Sequence, residues 1–211
     1  MQNIILLAPP VAGKGTLAKL LCDRLGYVSI STGDILRNEA KKNKELSEKL
    51  KKGELVDDNT VFELLKAKLN KLGNTPYILD GFPRTKKQAE MYDELIQNIE
   101  KELGVVIYLD VDKEELIKRV TTRVICPNCR RAYSTREKRF APKKQDLCDK
   151  CNVLLIHRED DKEEVFDKRY NEYLTRTKPL ISYYEKKKVL VRISDIDSEV
   201  ILNKVSSLVN V

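Results

Sequence analysis

The chain is 211 residues long, carries 40 Lys and Arg against 33 Asp and Glu for a net charge of +7, and is 41% hydrophobic. That length suits one sizeable domain with inserts, and no apolar run of about 18 residues occurs, so no membrane span is expected. The positive excess suits nucleic acid, a membrane surface or polyanionic small molecules, and charge alone does not choose among them.

The first residues read at once as a strand, Ile4-Ile5-Leu6-Leu7, rather than as an export leader. Leu17, Leu20, Leu21 and Leu25 then predict one face of a helix. Between them, Ala8-Pro9-Pro10-Val11-Ala12-Gly13-Lys14-Gly15-Thr16 is a tight loop that opens the helix. The first N–H groups of a helix lack partners and carry the positive end of its dipole, so they attract phosphate. A Lys here reaches terminal phosphates and a hydroxyl can face Mg²⁺.

Tyr27-Val28-Ser29-Ile30 predicts a second strand, and Ser31-Thr32-Gly33-Asp34 a turn and helix cap. Residues 35–53 read as a polar, helical, solvated insert. Asp57-Asp58-Asn59 caps a helix whose face is Val61, Leu64, Leu65, Leu69 and Leu72. Tyr77-Ile78-Leu79 is a buried strand leading into Asp80-Gly81-Phe82-Pro83-Arg84-Thr85, and a helix follows from about 86 to 101. Residues 104–111 make another apolar strand and 113–122 another helix. Residues 162–187 are predicted helical with an interruption near Pro179, Val189-Leu190-Val191 is the last strand, and Asp197 or Ser198 caps a final helix with Val200, Ile201, Val205, Leu208 and Val209 on its apolar face. Five apolar strands alternating with helices imply a parallel sheet covered on both faces, whose ligands sit at the carboxyl ends of its strands. The loops 8–16, 31–37 and 80–85 converge there.

Cys126-x-x-Cys129 and Cys148-x-x-Cys151 are separated by 18 residues, the two-knuckle spacing of a four-thiolate zinc site. A complete thiolate set leaves no open position, so the metal is expected to be structural. The segment between 123 and 161 has few apolar residues, and a metal staple would supply the stability it lacks. Arg130, Arg131 and Lys150 are placed to offset the thiolate charge. His157, the one histidine, reads as a surface residue, and Cys22 as an inert core thiol. Thiols set for metal rather than disulfides suggest a reducing compartment.

Gly13-Lys14-Gly15-Thr16, Ser31 to Arg37, Asp80 to Thr85 with Gln88, and Arg158-Glu159-Asp160-Asp161 with Arg169 occur in that order. With the cysteine segment they resemble adenylate kinase in its long form, with a zinc-bearing lid, over essentially the whole chain. The resemblance implies a P-loop three-layer α/β/α fold with a five-stranded parallel sheet, a helical AMP-binding insert and a small zinc-bound, β-rich lid. It places the core in 1–30, 61–121 and 162–211, the AMP insert in 31–60 and the lid in 122–161. It implies ATP + AMP ⇌ 2 ADP, with Mg²⁺ on ATP, in a cytoplasmic monomer with no nucleic-acid or membrane partner.

The resemblance also assigns residues. Val11, Ala12, Gly13, Lys14, Gly15 and Thr16 would hold ATP, with Arg123, Ala132 and Tyr133 from the lid. Thr32, Arg37, Glu54, Leu55, Val56, Gly81, Phe82, Pro83, Arg84 and Gln88 would hold AMP, with Arg158 and Arg169 facing its side and the transition state. Lys14, Arg84, Arg123, Arg158 and Arg169 would neutralise the transferring phosphoryl group, since moving charge between two polyanions needs cations more than covalent chemistry. Asp80 would organise Mg²⁺ through water, and Asp160 and Asp161 would help close the lid. Arg24, Arg131, Arg136 and Arg139 match no element and read as surface charges.

Ala8 and Val11 depart from the family's usual Gly. A β-branched Val fits positive φ poorly, at a cost of about 1–3 kcal/mol, whereas at negative φ it merely stiffens the loop. An active enzyme with weakened ATP handling is expected. Thr122 and Val124 flank Arg123 where the family often has Gly and a second Arg, leaving one cation fewer. Ser194-Asp195-Ile196 lacks the usual Gly near the ATP base. The alternatives are a UMP/CMP-type kinase, which Gln88 and the long lid oppose, and a basic zinc-ribbon nucleic-acid binder, which the scarcity of aromatics opposes.

Overall fold

Ile4, Ile5, Leu6 and Leu7 are each at most 1% exposed. A strand buried on both faces needs neighbours at both edges and helices above and below. The computed structural model, which describes residues 1–209 apart from 53, 55, 100 and 137 and leaves the side chains of Arg139 and Glu159 undescribed, supplies both. In chain order the elements are β1 (Ile4–Leu7), α1 (Lys14–Leu25), β2 (Val28–Ser31), α2 (Thr32–Ala40), α3 (Lys44–Lys51), α4 (Asp58–Leu69), β3 (Tyr77–Asp80), α5 (Lys86–Asn98), β4 (Val105–Leu109) and α6 (Lys113–Thr122). Then come β5 (Arg123–Ile125), β6 (Ala132–Ser134), α7 (Glu163–Glu172), α8 (Leu180–Lys186), β7 (Leu190–Ile193) and α9 (Ser198–Val209).

The main sheet has five parallel strands in the order β2-β3-β1-β4-β7, with β1 central. Ile5 sits in register with Leu79 on one side and Val106 on the other. Alternation along β1 splits the core in two. Ile4 and Leu6 pack with Leu17, Leu116, Phe166 and Val205 of α1, α6, α7 and α9. Ile5 and Leu7 pack with Leu65, Tyr92 and Leu180 of α4, α5 and α8. The result is the expected three-layer α/β/α architecture. No helix among the described residues is long and apolar enough to cross a membrane.

Several predicted boundaries move, each for a local reason. The polar run 35–53 is two helices, because the Asn43 side chain accepts from the Leu46 N–H (3.1 Å) and starts α3 afresh. Asp57 is the cap of α4, accepting from the Thr60 N–H at 2.9 Å. That helix stops at Leu69, so Leu72 lies beyond it and is half-buried. α5 ends at Asn98, short of 101. The break in 162–187 begins before Pro179, at a π-helical turn over Tyr173–Thr177 whose wide loop closes from the Lys178 N–H to the Tyr173 carbonyl (2.7 Å). The final helix is capped by Asp197, which accepts from the Glu199 and Val200 N–H groups. Its buried face is Ile201, Leu202, Val205 and Val209, while Val200 and Leu208 are 39% and 38% exposed. α9 packs on α1, and Leu202 joins the buried cluster that holds Leu17, Ala18 and Leu21 of that helix.

The cysteine segment folds as a separate small unit. β5 and β6 pair antiparallel, Ile125 bridges Ile156, and Leu147 bridges Leu154. Among the described residues its buried cluster is Val124, Cys126, Tyr133 and Cys148, with a few half-buried neighbours. His157 is exposed, as expected. Cys22 is half-buried against the main core, and burial pushes its thiol pKa up.

A candidate active site at the carboxyl ends of the strands

A cavity of about 1260 Å³ opens where β1, β2 and β3 end. Its wall includes Val11, Ala12, Gly13, Lys14, Gly15 and Thr16. Gly13 precedes α1 at φ 99° and offers no side-chain cap, so the first N–H groups of that helix keep free capacity for an anion. Lys14 donates to the carbonyls of Ala8 and Pro9, both at 3.0 Å. Burial lowers its pKa to about 8, with Asp80 pulling the other way. Asp80 shares the wall, and burial raises its pKa against the opposing effect of Lys14 and Arg84. Val11 sits at φ 64°, so the backbone adopts the left-handed conformation that a β-branched residue resists.

Opposite the loop, Arg37, Arg84, Arg123, Arg158 and Arg169 line the same cavity. Each is fixed by a local partner. Arg84 Nε donates to the Gly81 carbonyl at 2.9 Å, while Arg37 Nη2 donates to Asp34 at 2.7 Å. Gly81 stands at φ 80°, and a Cβ there would lie 3.0 Å from Arg84 Nη2 and 3.1 Å from Thr32 Oγ1, so the Arg84 anchor requires glycine. Arg123 Nε donates to Asp161 Oδ2 at 2.8 Å, and Arg158 Nε to Asp160 Oδ1 at 2.8 Å. Arg169 donates to the Asp160 carbonyl at 2.9 Å and lies 3.2 Å from its carboxylate. Burial acts to raise the pKa of Asp160, but Arg169 and Arg158 hold it well below the usual carboxylate range. Burial lowers Arg169 to about 10. Two carboxylates thus organise three guanidiniums that would otherwise repel one another.

The other predicted positions divide. Gly81, Pro83, Ala132 and Tyr133 line the large cavity. The Tyr133 hydroxyl is committed elsewhere, 3.4 Å from Cys148 Sγ and accepting from the Asp149 N–H at 2.9 Å. Thr32, Phe82 and Gln88 are 3%, 0% and 2% exposed and stand behind the wall rather than on it. Glu54 and Val56 line a second cavity of about 500 Å³ with Asp58 and Lys87, and Glu172 borders both cavities. Leu55 lies outside the described residues.

Some cavity residues escaped the sequence reading. Arg119, one helical turn before Arg123 on α6, donates through Nη1 to the Ala12 carbonyl (3.3 Å) and through Nε to Glu115 (2.7 Å). Val124 is buried and brings no cation, while Arg119 places one beside the phosphate loop. The i, i+4 spacing from Arg123 was the available signal. Arg131, read as a surface charge, lines the cavity, as does Arg130, whose Nε is 3.5 Å from Asp34 Oδ1 of α2. Ile196 and Ser198 also border the cavity, although no Gly is present at 194–196.

The four cysteine sulfurs of positions 126, 129, 148 and 151 lie within 4.8 Å of one another. Cys129 Sγ and Cys148 Sγ are 3.6 Å apart. A tetrahedral ion with Zn–S bonds near 2.3 Å requires sulfur spacings of about 3.8 Å, so the donor set fits a metal. Both knuckles use the same turn. The Cys129 N–H points at Cys126 Sγ and the Cys151 N–H at Cys148 Sγ, each at 3.4 Å. The next residue, Arg130 or Asn152, turns back at φ 61° or 51° to bond the carbonyl of the first cysteine.

Comparison with known proteins bears on this geometry. A family model described as adenylate kinase matches residues 6–189. The adenylate kinase of Thermotoga petrophila is 45% identical over 199 residues, covering 92% of this chain and 90% of its own. That of Archaeoglobus fulgidus is 43% identical over 220 residues, covering 98% and 100%. That of Thermosipho africanus is 43% identical, covering 93% and 95%.

Proposed function

The chain belongs to the adenylate kinase family and catalyses reversible phosphoryl transfer from Mg-ATP to AMP, giving two ADP, and we propose the following division of labour among its residues. The observation that carries it is the convergence of Lys14, Arg84, Arg123, Arg158 and Arg169 on one cavity beside the N-terminus of α1. Residues 11–16 bind the ATP phosphates through backbone N–H groups, and Lys14 leaves the Ala8 and Pro9 carbonyls to reach them. Arg37 and Arg84 hold the AMP phosphate with forked, permanently charged donors. Arg123, Arg158 and Arg169 neutralise charge on the group in flight. That charge spreads over three oxygens with little covalent change, so positioned cations supply most of the catalysis.

Mg²⁺ accompanies ATP, screening its phosphates and orienting them for in-line transfer. Asp80 and the Thr16 hydroxyl, two oxygen donors on the same wall, suit that hard cation, with Asp80 acting through water. We assign the adenine edge of AMP to Gln88, which stands behind the wall of the large cavity, with Thr32, Gly81, Phe82 and Pro83 beside it and Glu54 and Val56 of the second cavity toward the base. Ala132 and Tyr133 cover the ATP side. In this reading residues 31–60 are the AMP insert, 122–161 the lid, and 1–30, 61–121 and 162–211 the core. The lid excludes water, which would otherwise accept the phosphoryl group.

Zinc is the metal we assign to the four cysteines, in a structural role, because four thiolates leave no site for a reacting water. We place the protein in the cytoplasm, where thiols stay reduced. A monomer is expected, since both sheet faces are covered within one chain. The test is phosphoryl transfer from ATP to AMP, UMP, CMP and GMP on one preparation. AMP should be used far better than the others. Preference for UMP or CMP would replace the Gln88 assignment, and transfer to none of them would overturn the whole reading.

A further inference from the structure

Asp58 opens α4 and reaches across to the N-terminus of α5. Its Oδ1 accepts from Gln88 Nε2 at 2.8 Å and from Thr85 Oγ1 at 3.1 Å. On the other side of the amide, Gln88 Oε1 accepts from the Arg84 N–H at 2.8 Å. A carboxylate only accepts and a backbone N–H only donates, so these two partners admit a single orientation of the Gln88 amide. Flipping it would set NH₂ against N–H and oxygen against carboxylate. Gln88 is 2% exposed, so water would repair neither mismatch. The locked amide retains one N–H and one oxygen lone pair.

Resting on the reading that Gln88 meets the base of AMP, we propose that Asp58 is a specificity-determining positioning residue. It holds the Gln88 amide in the orientation that accepts a 6-aminopurine monophosphate and rejects a 6-oxopurine one. Adenine offers an acceptor at N1 and a donor at its 6-amino group. A 6-oxopurine offers a donor at N1 and an acceptor at O6, the same pair in reversed order. A freely flipping amide would serve either edge. A locked one serves only one of them, and a buried mismatch discriminates more strongly than a lost contact.

The test compares Asp58→Asn, Asp58→Ala, Gln88→Ala and the double variant Asp58→Ala/Gln88→Ala in the whole chain. For each, kcat and KM are measured with AMP and GMP, together with KM for ATP and thermal unfolding. Asp58→Ala is expected to raise KM for AMP roughly tenfold, the scale of losing a hydrogen bond to a charged group, and Asp58→Asn to raise it less, because its amide oxygen can still accept from Gln88 Nε2. The preference for AMP over GMP should fall with it, while kcat at saturating AMP and KM for ATP stay near the parent values. In the Gln88→Ala background, Asp58→Ala should have no further effect on AMP binding or on the AMP preference. Additive effects would overturn the proposal, because Asp58 would then act independently of Gln88. So would a lowered melting temperature with unchanged preference, the signature of a residue that merely holds Thr85. If Gln88→Ala loses the preference and the Asp58 variants keep it, only the Asp58 proposal falls. If Gln88→Ala keeps it, the assignment of Gln88 to the base fails and the proposal fails with it.

Discussion

Val11 stands at φ 64° in the loop that receives the ATP phosphates, and replacing it by Ala and by Gly separates backbone strain from packing. A Cβ in the left-handed region costs about 1–2 kcal/mol. Glycine removes that cost but adds about 0.4–1 kcal/mol of freedom to the unfolded chain. At this φ, Val11→Gly should therefore be more stable than Val11→Ala by about 0.5–1 kcal/mol. The reverse order holds at an ordinary φ. Both variants lose the two γ-methyl groups of a half-buried side chain that packs against the main core, and they differ from each other by Cβ alone, so most of the packing change cancels from the comparison. For a chain of this size the difference raises the melting temperature of Val11→Gly above that of Val11→Ala by about 1–4 °C. Thermal unfolding of the two variants side by side reads it directly. KM for ATP, measured on the same samples, should be no higher in Val11→Gly than in the parent, since methyl groups leave the phosphate region. A Gly variant that melts below the Ala variant would refute the strain, and with it the idea that this loop carries a cost.

Other expectations are as direct. The Lys14 pKa is lowered to about 8 in the folded chain from 10.5, by burial opposed by Asp80, so kcat/KM for ATP should fall as pH rises through about 8. The stability effect has the opposite sense: between pH 8 and 10.5 the unfolded chain holds the proton and the folded one does not, so the parent should gain on Lys14→Met in urea unfolding as pH rises across that window. A difference that shrinks there would show that Lys14 is not buried as described. Gly104 has φ 80°, and a Cβ would lie 2.1 Å from the Asn3 carbonyl oxygen that accepts the Val105 N–H. Gly104→Ala should cost about 3 kcal/mol or more, seen as a melting temperature lower by about 6–12 °C. Elemental analysis should find about one zinc per chain, and chelation or Cys148→Ser should unfold the cysteine unit at lower temperature while leaving low-temperature turnover largely intact. Loss of turnover at full stability would mean that the metal is more than structural.

Much of the candidate site was legible because its signals are local. Gly13-Lys14-Gly15-Thr16 is contiguous and needs only a strand before it and a helix after it. Paired cysteines two residues apart can satisfy one ion whatever surrounds them. Arg119 and Arg131 were passed over because their roles depend on distant partners: the Ala12 carbonyl in one case, and in the other a fold of the cysteine unit that turns Arg131 to the cavity. Helix ends were missed for a related reason. Asn43 and the π-helical turn at Tyr173–Thr177 reset helices whose composition reads as continuous.

By itself, the order of residues determined that five apolar segments form a covered parallel sheet, since strands apolar on both faces and alternating with helices are the pattern of that architecture. It also determined that phosphate chemistry belongs at the start of α1. Tertiary structure alone decided the sign of φ at Val11, because a backbone angle answers to the whole loop and not to the side chain it strains. It alone set Asp160 and Asp161 among three arginines, and Asp58 against Gln88, a residue 30 positions away. Pairings across such distances depend on packing between elements, and the identity of a residue does not encode its partner.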